Sequence, residues 1–162
     1  MYTYFVKKVI RIVDGDTIDI EIDLGFDLTK KERVRLGGID TPEKRTKNLE
    51  EKAMGLEATE YLTALLDGAP QLTVTTEKDG KFGRMIGTLY LSPDMLPNSI
   101  NPNNGLLGTG TSINQAMIDD GYAWEYDGGT KHKDLDDLKA KRASNIKFRK
   151  DLDDFRAKRG VN

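Results

Sequence analysis

Thr17-Ile18-Asp19-Ile20-Glu21-Ile22-Asp23-Leu24 alternates without a break, with Ile18, Ile20, Ile22 and Leu24 on one side and Asp19, Glu21 and Asp23 on the other. Side chains along a strand point to opposite faces with a period of two, so this run is a strand with one face in a core and one in water. Upstream, residues 5–13 are rich in β-branched and aromatic side chains, and Asp14-Gly15 between the two runs is a hairpin signal. Downstream, 25–29 reads as a turn and 33–39 as a third strand, with Gly37-Gly38 marking a bend or bulge. Residues 72–76 and 85–91 read as two further strands, connected through 78–83.

The helical segments lie after the third strand. Asn48 reads as an N-cap, with Glu51 three residues on as a capping-box partner. Leu49, Ala53, Leu56, Tyr61, Leu62, Leu65 and Leu66 form its apolar stripe, and Asp67-Gly68 ends it. Ser112 caps a second helix, with Gln115 three residues later and Gly121 as its end. The tail, 131–162, has helical composition and a near-repeat: Lys133-Asp134-Leu135-Asp136-Asp137-Leu138 returns as Lys150-Asp151-Leu152-Asp153-Asp154-Phe155, 17 residues later. At about 3.6 residues per turn that offset turns the second copy by about 100°, so a break is expected near Ser144-Asn145. Residues 92–110, rich in Pro, Asn and Gly, read as a long insertion-like surface loop. Together these elements predict an α+β fold: one domain over 1–162, built as a five-stranded OB-type barrel with about three helices.

With 162 residues, 37% apolar and 32% charged, the chain can bury a core and carries no run near the roughly 20 apolar residues of a membrane span. It has no cysteine, which excludes disulfides and thiolate metal sites. Residues 1–8 lack a basic start followed by an apolar run, so they do not read as a secretory signal, and a cytoplasmic monomer is expected. The net charge of −2 is unlike that of most nucleic-acid binders. Its distribution offsets this: Lys30, Lys31, Arg33, Arg35, Lys44, Arg45 and Lys47 cluster at the centre, while much of the acidity lies in the tail.

Three segments carry chemistry: Val13-Asp14-Gly15-Asp16-Thr17, Arg35-Leu36-Gly37-Gly38-Ile39-Asp40-Thr41-Pro42-Glu43, and Lys81-Phe82-Gly83-Arg84. Each has an ordinary reading alone, the first as a tight hairpin turn and the second as a turn before a proline. An EF-hand loop starting at Asp14 fails, because Asp19 stands where glycine belongs and Gly25 where glutamate belongs. Combined, they supply carboxylates of the kind that hold a hard cation, a further carboxylate able to activate water, and two arginines for phosphate charge.

In their order and spacing these segments resemble the staphylococcal nuclease (thermonuclease) family, with weaker support from Ile113-Asn114-Gln115-Ala116-Met117 and Gly121-Tyr122-Ala123-Trp124. The resemblance runs from about Val6 to Tyr126. It implies an OB-fold barrel with three helices and a Ca²⁺-dependent nuclease that cuts DNA and RNA to leave 3′-phosphates. By the same resemblance, Asp16, Asp40 and the carbonyl of Thr41 would hold Ca²⁺, Glu43 would position or deprotonate the attacking water, and Arg35 and Arg84 would bind the scissile phosphate. Lys81, Phe82 and Tyr126 would lie near the bound nucleotide, with Phe82 standing where relatives often have tyrosine. So few protein ligands predict weak Ca²⁺ binding without nucleic acid, on the order of 0.1–1 mM. A catalytically silent nucleic-acid-binding barrel is the competing reading, but it has no need of Asp16, Arg35, Asp40, Glu43 and Arg84 together. His132 reads as a surface residue, and Tyr122 and Trp124 as packing.

Overall fold

The computed structural model describes residues 1–67, 69, 71–77, 84–91 and 112–158. In chain order its elements are β1 (Tyr2–Asp14), β2 (Thr17–Gly25), β3 (Leu28–Leu36), β4 (Ile39–Asp40), α1 (Leu49–Leu66), β5 (Leu72–Glu77), β6 (Met85–Leu91), α2 (Ile113–Asp119), β7 (Trp124–Glu125) and α3 (Leu135–Lys158). The long strands close a barrel in the order β1-β2-β3-β6-β5, with β5 returning to pair with β1. All pairs are antiparallel except β3 with β6, where Arg35 lies opposite Ile86. This is the expected α+β, OB-like barrel. Register shifts at Val6/Lys8, Val9/Arg11 and Ile12/Asp14 bend β1, which lets one strand serve two neighbours around a small barrel.

Ile18, Ile20 and Ile22 point into the core and are at most 2% exposed, as the alternation requires. Leu24 departs from it, at 44% exposed, because β2 has by then run past the end of the barrel. The turn that follows is tighter than the expected 25–29. Phe26 and Asp27 both have positive φ, 52° and 60°, and β3 already starts at Leu28. Gly37-Gly38 breaks the expected 33–39 strand: β3 stops at Leu36, Gly38 takes φ 75°, and Ile39–Asp40 pair instead with Trp124–Glu125 in a separate two-stranded sheet.

Asn48 caps α1, its side chain accepting from the N–H groups of Glu50 and Glu51. The capping box does not close, because Glu51 Oε1 instead accepts the Glu43 N–H at 3.2 Å. The apolar stripe is also corrected in its first half. Leu49 and Leu56 are 79% and 47% exposed, and Ala53 is exposed, while Met54, Gly55 and Ala58 are buried with Tyr61, Leu62, Leu65 and Leu66. At 100° per residue, positions 49, 53 and 56 lie on a different face from 54, 58, 61 and 65. Ser112 Oγ caps α2 by accepting from Gln115 N.

α3 runs without interruption for 24 residues, so the expected break at Ser144-Asn145 does not occur. No glycine or proline falls inside it, and a rotated second copy needs a different face, not a new helix. Side chains before and at this point tie α3 to the end of α2: Arg142 Nε donates to the Gly121 carbonyl at 2.8 Å and Asn145 Nδ2 to the Asp119 carbonyl at 3.1 Å. Tyr122 is sandwiched there, its ring 4.1 Å from the Tyr61 ring centroid on one contact and 4.1 Å from the Arg142 guanidinium on another. The Pro- and Asn-rich 92–110 loop lies outside the described residues.

On the outside of the barrel Asp19 faces its register partners Arg11 and Arg33. Arg33 Nε donates to Asp19 Oδ1 at 2.7 Å and Arg11 NH2 to Oδ2 at 2.8 Å. The Arg33 hydrogen bond above all, opposed by burial and aided by Arg11, holds the Asp19 carboxyl down at about 2. A carboxyl depressed by folding contributes stability above its unfolded pKa and loses it as pH falls through the folded one. Asp19→Asn is therefore expected to be less stable than the parent by about 1 kcal/mol near neutral pH, a value discounted for the water around the network. The gap should close between about pH 4 and pH 2, read as converging thermal melts of the two chains.

Candidate active site

A cavity of about 500 Å³ opens at one end of the barrel, lined by Asp16, Arg35, Asp40, Thr41, Glu43 and Arg84 among others. Segments from separate parts of the chain meet here. The β1–β2 turn brings Asp16, whose carbonyl accepts the Leu36 N–H at 2.8 Å. Gly15 in that turn lies so close to α1 that a Cβ would sit 2.9 Å from the Ala58 methyl. Arg35 stands opposite Thr17 in the β2–β3 register. β4 supplies Asp40 at its end, and the following segment packs on α1 through Gly55, where a Cβ would fall 2.6 Å from the Pro42 carbonyl and 2.7 Å from Lys44 N. Arg84 enters just ahead of β6, the parallel neighbour of β3.

Arg35 organises the centre. One terminal nitrogen donates to Asp16 Oδ2 at 2.6 Å and the other to Asp40 Oδ1 at 3.2 Å and to the Ile39 carbonyl at 3.2 Å. Burial pushes the guanidinium pKa down, but Asp16 first and then Asp40 more than reverse this, and it lies above its ordinary value. Both carboxylates are buried, Asp16 at 6% and Asp40 at 3% exposed. Thr17 Oγ1 donates to Asp16 Oδ1 at 2.9 Å. Asp40 Oδ2, by contrast, is buried with no hydrogen-bond partner among the described residues. A buried acceptor left this way costs about 1–3 kcal/mol, and a cation bound beside it would offset that cost.

Glu43 is half exposed, its backbone fixed by Glu51. Lys133 Nζ lies 3.7 Å from Glu43 and 3.2 Å from Glu51. Burial pushes the Lys133 ammonium down, and Glu51, then Glu43 and Asp40, raise it above its usual value. Tyr126 also lines the cavity. Its N–H bonds to the Gly38 carbonyl at 2.9 Å and its hydroxyl donates to the Gly129 carbonyl at 3.2 Å, so the phenol is engaged within its own loop.

Residues 33–152 match the profile of the family described as staphylococcal nuclease homologues. The chain belongs to the staphylococcal nuclease homologue family. Within curated relatives it is 33% identical over 119 residues to Protein ParB of Escherichia coli, covering 74% of this chain and 56% of that protein. It is 32% identical over 120 residues to an uncharacterized endonuclease of Escherichia coli O157:H7, covering 74% and 60%. With the micrococcal nuclease of Shigella flexneri it shares 33% over 122 residues, covering 75% and 59%. The chain thus spans between half and two thirds of these relatives' own length.

The family match starts inside β3, so Asp16 falls outside it. The barrel nevertheless brings Asp16 onto the same guanidinium as Asp40. Seven of the residues singled out in the sequence thus share one cavity: Asp16, Arg35, Asp40, Thr41, Glu43, Arg84 and Tyr126. Lys81 and Phe82 lie outside the described residues. His132 is exposed and not part of the lining, and Trp124 is committed to packing, its Nε1 donating to the Asp134 carbonyl at 2.9 Å. Sequence reading missed Lys131, whose Nζ lies 2.9 Å from Asp40 Oδ1. Nothing local marks it: it is one of several charged residues in the 130–134 segment, 91 positions from its partner.

The donor set suits a hard divalent ion. Among the described residues no group of three or more His, Cys, Asp and Glu side chains gathers to hold a metal. Asp16 and Asp40 offer oxygen donors only, the chemistry that hard divalent cations accept.

Proposed function

We propose that this protein is a calcium-dependent phosphodiesterase that hydrolyses DNA, RNA or both. The observation that carries the reading is the bridge from Arg35 to the two buried carboxylates, Asp16 and Asp40, in a cavity shared with Glu43 and Arg84. Asp16, Asp40 and the Thr41 carbonyl are the groups that would hold Ca²⁺, which when bound polarises a phosphoryl oxygen and neutralises its charge. Glu43, half exposed at the cavity mouth, accepts a proton from the attacking water as its oxygen bonds to phosphorus. The bond from phosphorus to the 5′ oxygen breaks, that oxygen takes a proton from solvent, and the 3′-phosphate remains. Arg35 and Arg84 bind the equatorial oxygens, and the planar guanidinium can meet two of them at once. Tyr126 forms part of the wall against which the nucleotide lies.

Digestion of single-stranded DNA with Ca²⁺, repeated with Mg²⁺ and with EDTA, tests the reading. Cleavage is expected with Ca²⁺ and none with EDTA. Degradation persisting in EDTA contradicts the metal assignment. DNA binding without cleavage in Ca²⁺ makes the protein a silent binding barrel.

A further inference from the structure

Lys131 does more than its pairing requires. Asp40 Oδ1 already accepts from Arg35, yet Lys131 Nζ comes to the same oxygen at 2.9 Å while Oδ2 is left with no partner among the described residues. The loop that carries the lysine is held by its own contacts. Gly129 N–H bonds back to Asp127 Oδ1 at 2.8 Å, Gly128 takes φ +94°, and the Tyr126 hydroxyl holds the Gly129 carbonyl. The ammonium then stands 5.6 Å from the centroid of the Tyr126 ring, within range of a cation–π attraction. Arg35 and Lys131 between them offset the charges of Asp16 and Asp40, so an arriving divalent ion meets two carboxylates already paired with cations.

The geometry points to Lys131 as a tethered counter-cation of Asp40 that weakens Ca²⁺ binding until a substrate phosphate draws the ammonium away. This rests on the calcium reading above. A lysine that stays on Oδ1 shares the carboxylate with the ion and repels it, and a lysine that is displaced gives up its ion pair with Asp40, so either way Ca²⁺ binds more weakly. A phosphate in the cavity offers the ammonium a second anion on the same side, and the cluster left behind regains a net negative charge for the ion.

Calorimetric titration of the full chain with CaCl₂, without nucleic acid, reads this directly. Lys131→Met and Lys131→Gln should each bind Ca²⁺ about tenfold more tightly than the parent, and Lys131→Arg should stay within about twofold of it. Lys139→Met removes an ammonium that pairs with Glu50 on the outer surface and should match the parent. Unchanged or weaker Ca²⁺ binding by folded Lys131→Met and Lys131→Gln overturns the inference while leaving the calcium site intact. So does equal tightening by Lys139→Met, which would make the effect one of bulk charge. If the parent and every variant fail to bind Ca²⁺, the calcium reading falls and the inference with it.

Discussion

Arg35→Lys is expected to lower the rate of DNA hydrolysis by about 10³-fold or more, although the positive charge is kept. Arg35 contacts Asp16 through one terminal nitrogen and Asp40 through the other. A lysine ammonium is a single point and cannot hold two carboxylates in that fork, so the positive charge it keeps is no longer fixed in place to meet phosphate. The loss should appear in kcat, because the missing interaction is the one made to charge developing in the transition state. Thermal melting and Ca²⁺ titration of the same variant separate this from simple damage: a folded chain with Ca²⁺ affinity near the parent's and turnover reduced by this factor supports the assignment. Turnover within about tenfold of the parent removes Arg35 from the mechanism.

Asn114→Leu should be strongly destabilising, by about 3 kcal/mol. Asn114 is 4% exposed. Its Nδ2 donates to the Gly37 carbonyl at 2.8 Å and the Gly87 carbonyl at 3.1 Å, and its Oδ1 accepts the Leu89 N–H at 3.1 Å. One side chain thus joins α2, β6 and the bend after β3, and an isosteric leucine leaves the Leu89 N–H and the Gly37 carbonyl buried without it. For a chain of this size the melting temperature should fall by roughly 6–12 °C. Hydrolysis should weaken as well, since Gly37 leads to Asp40 and the strand through Gly87 leads back to Arg84. A melt within about 2 °C of the parent would show that water or a neighbour replaces the amide.

Asn114 also shows where reading the chain stops. Its place at the start of a helix says nothing of this role, because its partners lie 25 to 77 positions away. The isoleucine alternation of β2, the Asn48 and Ser112 caps and the ends of β6 were legible because each depends on neighbours within a few residues. The Asp16, Arg35, Asp40, Glu43 and Arg84 set was legible only as a resemblance, since no local rule says that a hairpin turn and a bend after another strand will face each other. The two-residue strands β4 and β7 were missed because two residues carry no period. The stripe on α1 was misread because exposed Leu49 and Leu56 are apolar without being on the face the barrel covers.

The sequence by itself determined the cores of the long strands and helices, the residues that cap α1 and α2 and which residue types are available for phosphate chemistry. Those depend on side-chain periodicity and on backbone donors that must be satisfied within a turn or two. The tertiary structure alone decided that Asp16 and Asp40 share one guanidinium, that Glu51 holds Glu43 rather than closing its own cap, and that Lys131 reaches Asp40 across 91 positions. Barrel closure is what brings such distant groups together, and its cost in chain entropy is repaid by a core to which every strand contributes, so no single segment contains the information.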